Sequence, residues 1–361
     1  MKVGFILLVL VVMVMVLGEM TVTDLYRVRT FAEELYVGYA LDASANPLPR
    51  QSLPGWLALA CVVWIALIVC SRLAPPDDGV PNRPPFQFQL GRWKTLLSVA
   101  SWSVIALMLV LPLTNLLVQV GITVDWEEGG PVRRWSGAVA LMEVGRAPWR
   151  FAHEFFWTFL IASTAATATL LVSLPLAWYA VRGGWRRLVI VVPAGICLAT
   201  PGPAIGLAII VLFNQPSIPP LAWLYDHSIA APVLALVIRS LPVTLLILWH
   251  AFARLAREPF DSATTEGATS WQRFWKVALP QRRSSIAGVW LVGLAIGVGD
   301  LSATILVTPP GVMTLSNRIF TLLHYGVEEQ LAALCLTEVV IIALVAWAVA
   351  HLVQRSRPDS W

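Results

Sequence analysis

The chain of 361 residues is poor in charge: 13% of it is Asp, Glu, Lys or Arg, against 58% hydrophobic residues. Soluble domains carry about 25% charged residues. Half that charge cannot clothe a soluble surface of this length. A cytosolic enzyme and a disordered regulator are excluded, and the class is polytopic membrane protein. Lysine is nearly absent. Lys2, Lys94 and Lys276 are preceded by Met1, Trp93 and Trp275. A phosphate-cradling P-loop needs glycine before its lysine, so the chain carries no Walker A motif. Any ATP it uses is bound by another subunit. Cysteine is sparse too. Cys61, Cys70, Cys197 and Cys335 sit in or beside apolar runs and form no C-x-x-C pair, which argues against a zinc site or a disulfide framework. The net charge is only +4 and no basic block exists, so nucleic acid is not the partner.

What is present is apolar length. A bilayer core takes about 20 apolar residues per helix. Eight runs read as spans: 3–18, 55–71, 95–119, 156–181, 188–213, 229–253, 286–307 and 331–354. The first competes with a signal-peptide reading, in which Lys2 and an apolar run lead to a cleavage site after Val16-Leu17-Gly18. With the N-terminus inside, sixteen of the 25 Lys and Arg residues fall inside and eight outside, with Arg239 in the membrane. Every lysine falls inside. This bias predicts an N-in, C-in topology.

Residues 73–94 are rich in Pro, Gly and Asp and read as a cytoplasmic linker. Residues 121–150 read as an outside loop with an interfacial Trp126 and solvated charges. Within 188–213, Pro201, Gly202 and Pro203 break the helix. Such a break either lines a pathway or merely kinks the helix for packing. The longest inside loop after the linker, 254–285, carries one aromatic edge of Trp271, Phe274 and Trp275. Gly267 can turn the chain between two short helices there. The segment either lies on lipid or docks into a partner's groove.

A weak internal repeat links the two ends of the chain. Gly18-Glu19-Met20-Thr21-Val22-Thr23-Asp24-Leu25 matches Gly299-Asp300-Leu301-Ser302-Ala303-Thr304-Ile305-Leu306 at an offset of 281. Thr30-Phe31-Ala32-Glu33-Glu34-Leu35-Tyr36 matches Thr314-Leu315-Ser316-Asn317-Arg318-Ile319-Phe320 at an offset of 284. Each copy lies at the outer end of a span and precedes one last span, which also argues against the signal peptide. The front part therefore corresponds to the end of the back part. Arg239, Asp300 and Glu338 lie in or at the ends of spans, where charge is costly and marks function or a packing ion pair. Arg239 is expected to pair with Asp300 or Glu338.

The inside loop carries a family resemblance. Permeases of ABC importers have a cytoplasmic signature: EAA, three residues, Gly, nine residues, then I-x-L-P. Here Asp261-Ser262-Ala263 stands for EAA, Gly267 follows at the right spacing, and Val277-Ala278-Leu279-Pro280 closes it. Asp, Ser and Val are the departures. Pro201-Gly202-Pro203-Ala204-Ile205-Gly206-Leu207-Ala208 resembles the family's P-G-x-x-x-G-L-A run. Asp300-Leu301-Ser302-Ala303-Thr304, with Pro309-Pro310-Gly311 and Arg318 to Gly326, is similar to the ferric-iron type. Related branches import thiamine, phosphonates, polyamines or sulfate-like anions.

The resemblance implies an all-α polytopic membrane protein of about eight transmembrane helices, with the type I ABC importer permease fold. Residues 1–72 would be the last two spans of a first permease module. Residues 95–355 would be a complete six-span module with its coupling loop at 254–285. The implied function is the permease subunit of an ATP-driven importer in a bacterial inner membrane, with ferric iron as the cargo expected first. Implied partners are a cytoplasmic ABC ATPase dimer, an extracytoplasmic substrate-binding protein and the lipid bilayer. A second permease chain, or a missing first module, completes the pore. The chain is expected not to be an enzyme and to bind no cofactor; ATP sits on the partner. Asp261, Ser262, Ala263, Gly267, Trp271, Leu279 and Pro280 are the expected coupling residues. Arg239, Asp300, Ser302, Thr304 and Glu338 are expected on the pathway or in intramembrane pairs, and no metal ligands are expected. The competing readings are a proton-coupled secondary transporter and an inactive permease remnant.

Overall fold

The computed structural model describes residues 28–41, 93–127, 130–255, 258–326 and 328–355, together with positions 20, 23, 57, 60, 61, 64 and 91. The expected span 3–18, most of span 55–71 and nearly all of the linker lie outside the described residues. The linker's last two residues belong to a helix instead: α1 is Phe31–Leu41, and the next described helix, α2, is Trp93–Val120.

The chain falls into two compact units. One contains residues 72–152 and 319–341. In it α2 runs 28 residues, and none of its apolar window is buried by the described residues, which suits an apolar helix that spans a membrane. The segment after it, read from the sequence as an outside loop, contains regular structure. Ile122–Glu127 (β1) and Gly130–Trp135 (β2) form an antiparallel hairpin, with Ile122 opposite Trp135 and Glu127 opposite Gly130. Its β-branched residues Ile122, Thr123, Val124 and Val132 favour extended backbone, and Gly130 takes φ +118 at the turn. The Trp135 ring folds back over Gly121, where an added Cβ would lie 2.4 Å from its Nε1. Helix α3, Gly137–Arg150, follows.

The other unit contains residues 1–71, 153–318 and 342–361. Its helices are α4 (Ala152–Ala180), α5 (Leu188–Ala199), α6 (Gly202–Phe213), α7 (Pro219–His227), α8 (Ala230–Ala253), α9 (Glu258–Thr265), α10 (Ser270–Arg273), α11 (Leu279–Gln281) and α12 (Arg283–Gly299). A π-helical turn, Phe274–Ala278, joins α10 to α11. Helix α12 stops at Gly299, short of the expected span end at 307. The cause is local: the Asp300 carboxylate accepts the Ala303 backbone N–H at 3.1 Å, and short Asp side chains compete in this way with helix continuation. Helices α13 (Leu315–Tyr325) and α14 (Glu328–Arg355) are divided between the units. Four described helices are long and apolar enough to cross a membrane, and five spans result if the bent pair α5 and α6 counts as one. Helix α12 is apolar but shorter.

Helix contact in the larger unit uses small residues and hydroxyls, because lipid leaves no hydrophobic drive between spans. An added Cβ on Gly297 would lie 2.9 Å from the Ala162 Cβ, and one on Gly293 would lie 3.3 Å from the Ala166 Cβ. Thus α12 approaches α4 backbone to backbone. Buried hydroxyls bridge α4 to α8: Thr169 to Ser240 at 2.9 Å and Ser173 to Thr244 at 3.2 Å. The Trp290 indole donates to Thr167 at 3.0 Å.

The internal repeat has a structural echo. Thr30 accepts the Glu33 N–H and Glu33 accepts the Thr30 N–H, a capping box that starts the 11 residues of α1. Thr314 accepts the Asn317 N–H at the start of α13, also 11 residues. The Thr23 hydroxyl donates to the Met20 carbonyl, and Thr304 donates to that of Leu301. The offset of 284 thus keeps an N-cap threonine, and the offset of 281 keeps a threonine hydroxyl bonded to the carbonyl three residues before it.

Candidate functional site

Two clusters gather the expected site residues other than Glu338, both within the larger unit. The first is the loop between α8 and α12. Helix α9 carries Asp261, Ser262 and Ala263, and the chain turns at Gly267 with φ +81. Left-handed backbone costs an L-residue roughly 1–2 kcal/mol, so glycine belongs there. Nothing lies within 4 Å of an added Cβ, so conformation rather than space selects it. The Thr269 side chain accepts the Gln272 N–H and Gln272 reciprocates, a capping box that starts α10. Arg273 crosses back to Thr264 at 2.8 Å and ties the two short helices together.

One aromatic edge becomes two layers. Phe274 is 1% exposed and meets Trp178 of α4 and Phe252 of α8 at centroid distances of 5.6 and 6.2 Å. Phe260 of α9 stands on the same Trp178 at 5.8 Å. Outside this anchor, Trp271 stacks on Phe274 at 5.4 Å and stays 58% exposed, and Trp275 stays 54% exposed. Leu279 is half-buried and Pro280 exposed. Arg182 of the α4–α5 connection holds Ser270, and Arg282 holds the Arg254 carbonyl. Burial, then the neighbouring Arg254, lower the Arg282 pKa from its ordinary value. The loop is therefore seated on α4 and α8, with two indoles and the Asp261-Ser262 end exposed. The expected turn at Gly267 and the two short helices are present.

The second cluster surrounds the helix break. Thr200 precedes Pro201 and so leaves the helical region, at ψ 117. Pro203 sits in the first turn of α6, where its missing N–H costs nothing. The two helices meet at 103°. Pro201, Gly202 and Pro203 are all buried. An added Cβ on Gly202 would lie 2.2 Å from the Ser302 Oγ and 2.7 Å from the Ser302 carbonyl carbon. The break therefore packs directly on the turn after α12, joining two motifs a hundred residues apart. Within that turn Asp300 accepts Ser302 at 3.4 Å, and Thr304 donates to the Asp300 carbonyl at 3.2 Å.

Arg239 of α8 reaches the same turn, its Nε 3.6 Å from the Asp300 Oδ2. The structure thus selects Asp300 as its partner. Among the described residues Glu338 makes no ion pair. Arg318 and Glu154 make a second pair at 3.4 Å. Glu154 does not stand out in the sequence, because it lies just outside an apolar run, and Arg318 is legible only as the first residue of the stretch Arg318 to Gly326. The Gly293 and Gly297 contact was likewise missed; its signal is the small-x-x-x-small spacing within a span.

Comparison with known proteins adds the family. Residues 169–358, more than half the chain, match the family described as binding-protein-dependent transport system inner membrane component. PhnV of Salmonella paratyphi A, whose name assigns it to 2-aminoethylphosphonate transport, is 28% identical over 171 residues, which are 47% of this chain and 61% of that protein. The putrescine transport system permease protein PotI of Escherichia coli K12 is 27% identical over 206 residues, 55% of this chain and 72% of PotI. The molybdenum transport system permease protein ModB of Azotobacter vinelandii is 26% identical over 175 residues, 45% of this chain and 76% of ModB. A bacterial ABC transporter involved in alginate import has a solved chain similar to this one, with a TM-score of 0.47 at 15% identity, covering 75% of this chain and 97% of that one. The chain spans about three fifths of the length of the first of these relatives. The matched region includes the buried hydroxyls of α4, the helix break, the Arg239–Asp300 pair and the whole Gly267 loop, and the chain belongs to the binding-protein-dependent transport system inner membrane component family.

Proposed function

We propose that the chain is the permease subunit of an ATP-driven ABC importer, and that the block 258–281 is its contact with a cytoplasmic ATPase dimer. The observation that carries this is the two-layer loop. Its inner aromatics are fixed to the spans α4 and α8, and its outer indoles are exposed with no described residue covering them. A rigid lever mounted on two spans passes the closing motion of an ATPase to the membrane, and differential ATP binding supplies the bias. The loop faces the cytoplasm in this reading, which sets the N-in, C-in topology in a bacterial inner membrane. A substrate-binding protein delivers the cargo at the opposite surface.

The paired capping of α1 and α13 supports a duplicated module, with residues 1–72 the end of a first one. A second permease module completes the pore in this reading. Ferric iron as cargo rests on the resemblance of residues 300–326 alone. The named relatives are named for 2-aminoethylphosphonate, putrescine and molybdenum, so the proposal holds at a small solute delivered by a binding protein. Asp300 is engaged by Arg239 and by the Ala303 N–H, which does not suit a proton carrier and favours the importer over a secondary transporter.

The test is cross-linking in native membranes. Ser262→Cys in the full transporter should form a nucleotide-sensitive cross-link to the ABC ATPase subunit. A cysteine at Ser262 that reacts freely with water-soluble reagents and never cross-links would overturn the assignment.

A further inference from the structure

Helix α3 divides into three sectors, and the division says where it lies. Ala138, Leu141, Met142, Gly145 and Trp149 recur at helical spacing and are all exposed, Leu141 at 80% and Trp149 at 84%. Beside this face stand Glu143, Arg146 and Arg150, with Arg150 on Glu143 at 2.9 Å. The remaining side, Ala140, Val144 and Ala147, is half-buried to buried by protein. A helix in water has no use for an exposed Leu, Met and Trp on one stripe. A helix crossing a bilayer could not carry the charged sector.

The helix also has a defined position. It packs on α2 and on β1, within one compact unit. The span α2 ends at Val120, and sixteen residues, twelve of them paired in the hairpin, separate that end from α3. The hairpin itself leaves Trp135 exposed. Indoles settle at membrane–water boundaries, and an amphipathic helix there buries its apolar face at the headgroup level with cationic residues at the rim.

We infer that α3 lies in the plane of the membrane surface at which α2 ends, with Leu141, Met142 and Trp149 in the acyl–headgroup boundary and Arg146 at the lipid phosphates. The hairpin is the strap that lays the helix down. This rests on the membrane-spanning reading of α2 and is independent of cargo and energy source.

The test is depth measurement by spin labels in the full-length chain, reconstituted into vesicles of phosphatidylethanolamine and phosphatidylglycerol. Leu141→Cys, Met142→Cys, Trp149→Cys and Arg146→Cys are labelled singly in a background with the four native cysteines replaced by alanine. Expected is severalfold greater access to oxygen than to a water-soluble nickel complex at 141, 142 and 149, with the order reversed at 146. Greater nickel access at all four positions would place the face in water. Access to neither reagent at 141 and 149 would mean that protein covers it. Either result overturns the assignment. A second measurement keeps the native cysteines: brominated lipid should quench a smaller share of tryptophan fluorescence in Trp149→Phe, and an unchanged share would contradict the placement.

Discussion

At the scale of single residues, three side chains or their absence carry the account. Gly267 holds φ +81 with open space around it. Gly267→Trp should therefore fold and insert, while bending the exposed half of the loop out of register. The expected result is ATP hydrolysis uncoupled from uptake, measured as the ratio of transported solute to phosphate released; an unchanged ratio at normal expression counts against the lever. Gly202 differs, since it has no room. Gly202→Ala puts a Cβ against the backbone of Ser302 as well as its side chain, so the helix break must shift. Overpacking of this kind costs typically 1–3 kcal/mol, and Ser302→Gly should recover little of it, because the carbonyl carbon stays. Thermal unfolding in detergent checks both. Arg239→Ala removes the guanidinium beside Asp300, whose side chain is 6% exposed. Breaking a buried pair by removing one partner costs about 3–5 kcal/mol. The low end applies, because Arg239 is itself 22% exposed and water screens part of the pair. Adding Asp300→Asn should restore most of the loss; a double variant as unstable as Arg239→Ala would show that the pair is not what matters there.

At the scale of elements, the loop separates anchoring from contact. Phe274→Ala empties a buried aromatic site between α4, α8 and the loop. Losing such a side chain costs about 3–5 kcal/mol, so the loop should detach from the spans and become protease-sensitive before the spans unfold. Trp271→Ala removes an exposed ring, should leave thermal stability nearly unchanged, and should weaken ATPase association measured by co-purification. Equal effects of the two substitutions on stability would deny the two-layer arrangement.

The elements also show what could be read along the chain. The Asp261 to Pro280 spacing, the turn at Gly267 and the break at Pro201 to Pro203 are local facts: fixed separations, a missing Cβ, missing N–H groups. Each is legible without a fold. The hairpin 122–135 was hidden because Asp125, Trp126 and Glu127 read as a solvated loop, while the β-branched neighbours decide the backbone. The end of α12 at Gly299 was hidden because Leu301, Ala303 and Ile305 keep the run apolar while the Asp300 carboxylate ends the helix. The choice of Asp300 over Glu338, and the seating of Gly202 on Ser302, are long-range contacts that no window of sequence contains.

At the scale of the molecule, the low charge and the lack of a Walker A lysine fit one arrangement. In the proposed function the chain supplies the membrane path and a lever, and another subunit supplies ATP. The loop anchored on α4 and α8, the broken span packed on the turn after α12, and the hydroxyl bridges between α4 and α8 tie the larger unit together. The measurement that tests this most directly is uptake in proteoliposomes carrying the chain with its neighbouring ATPase and binding protein, energised either by enclosed ATP or by an imposed proton gradient. The account predicts uptake with ATP alone, indifferent to a protonophore while ATP is held constant, and none without the ATPase. Uptake driven by the proton gradient in the absence of the ATPase would contradict it.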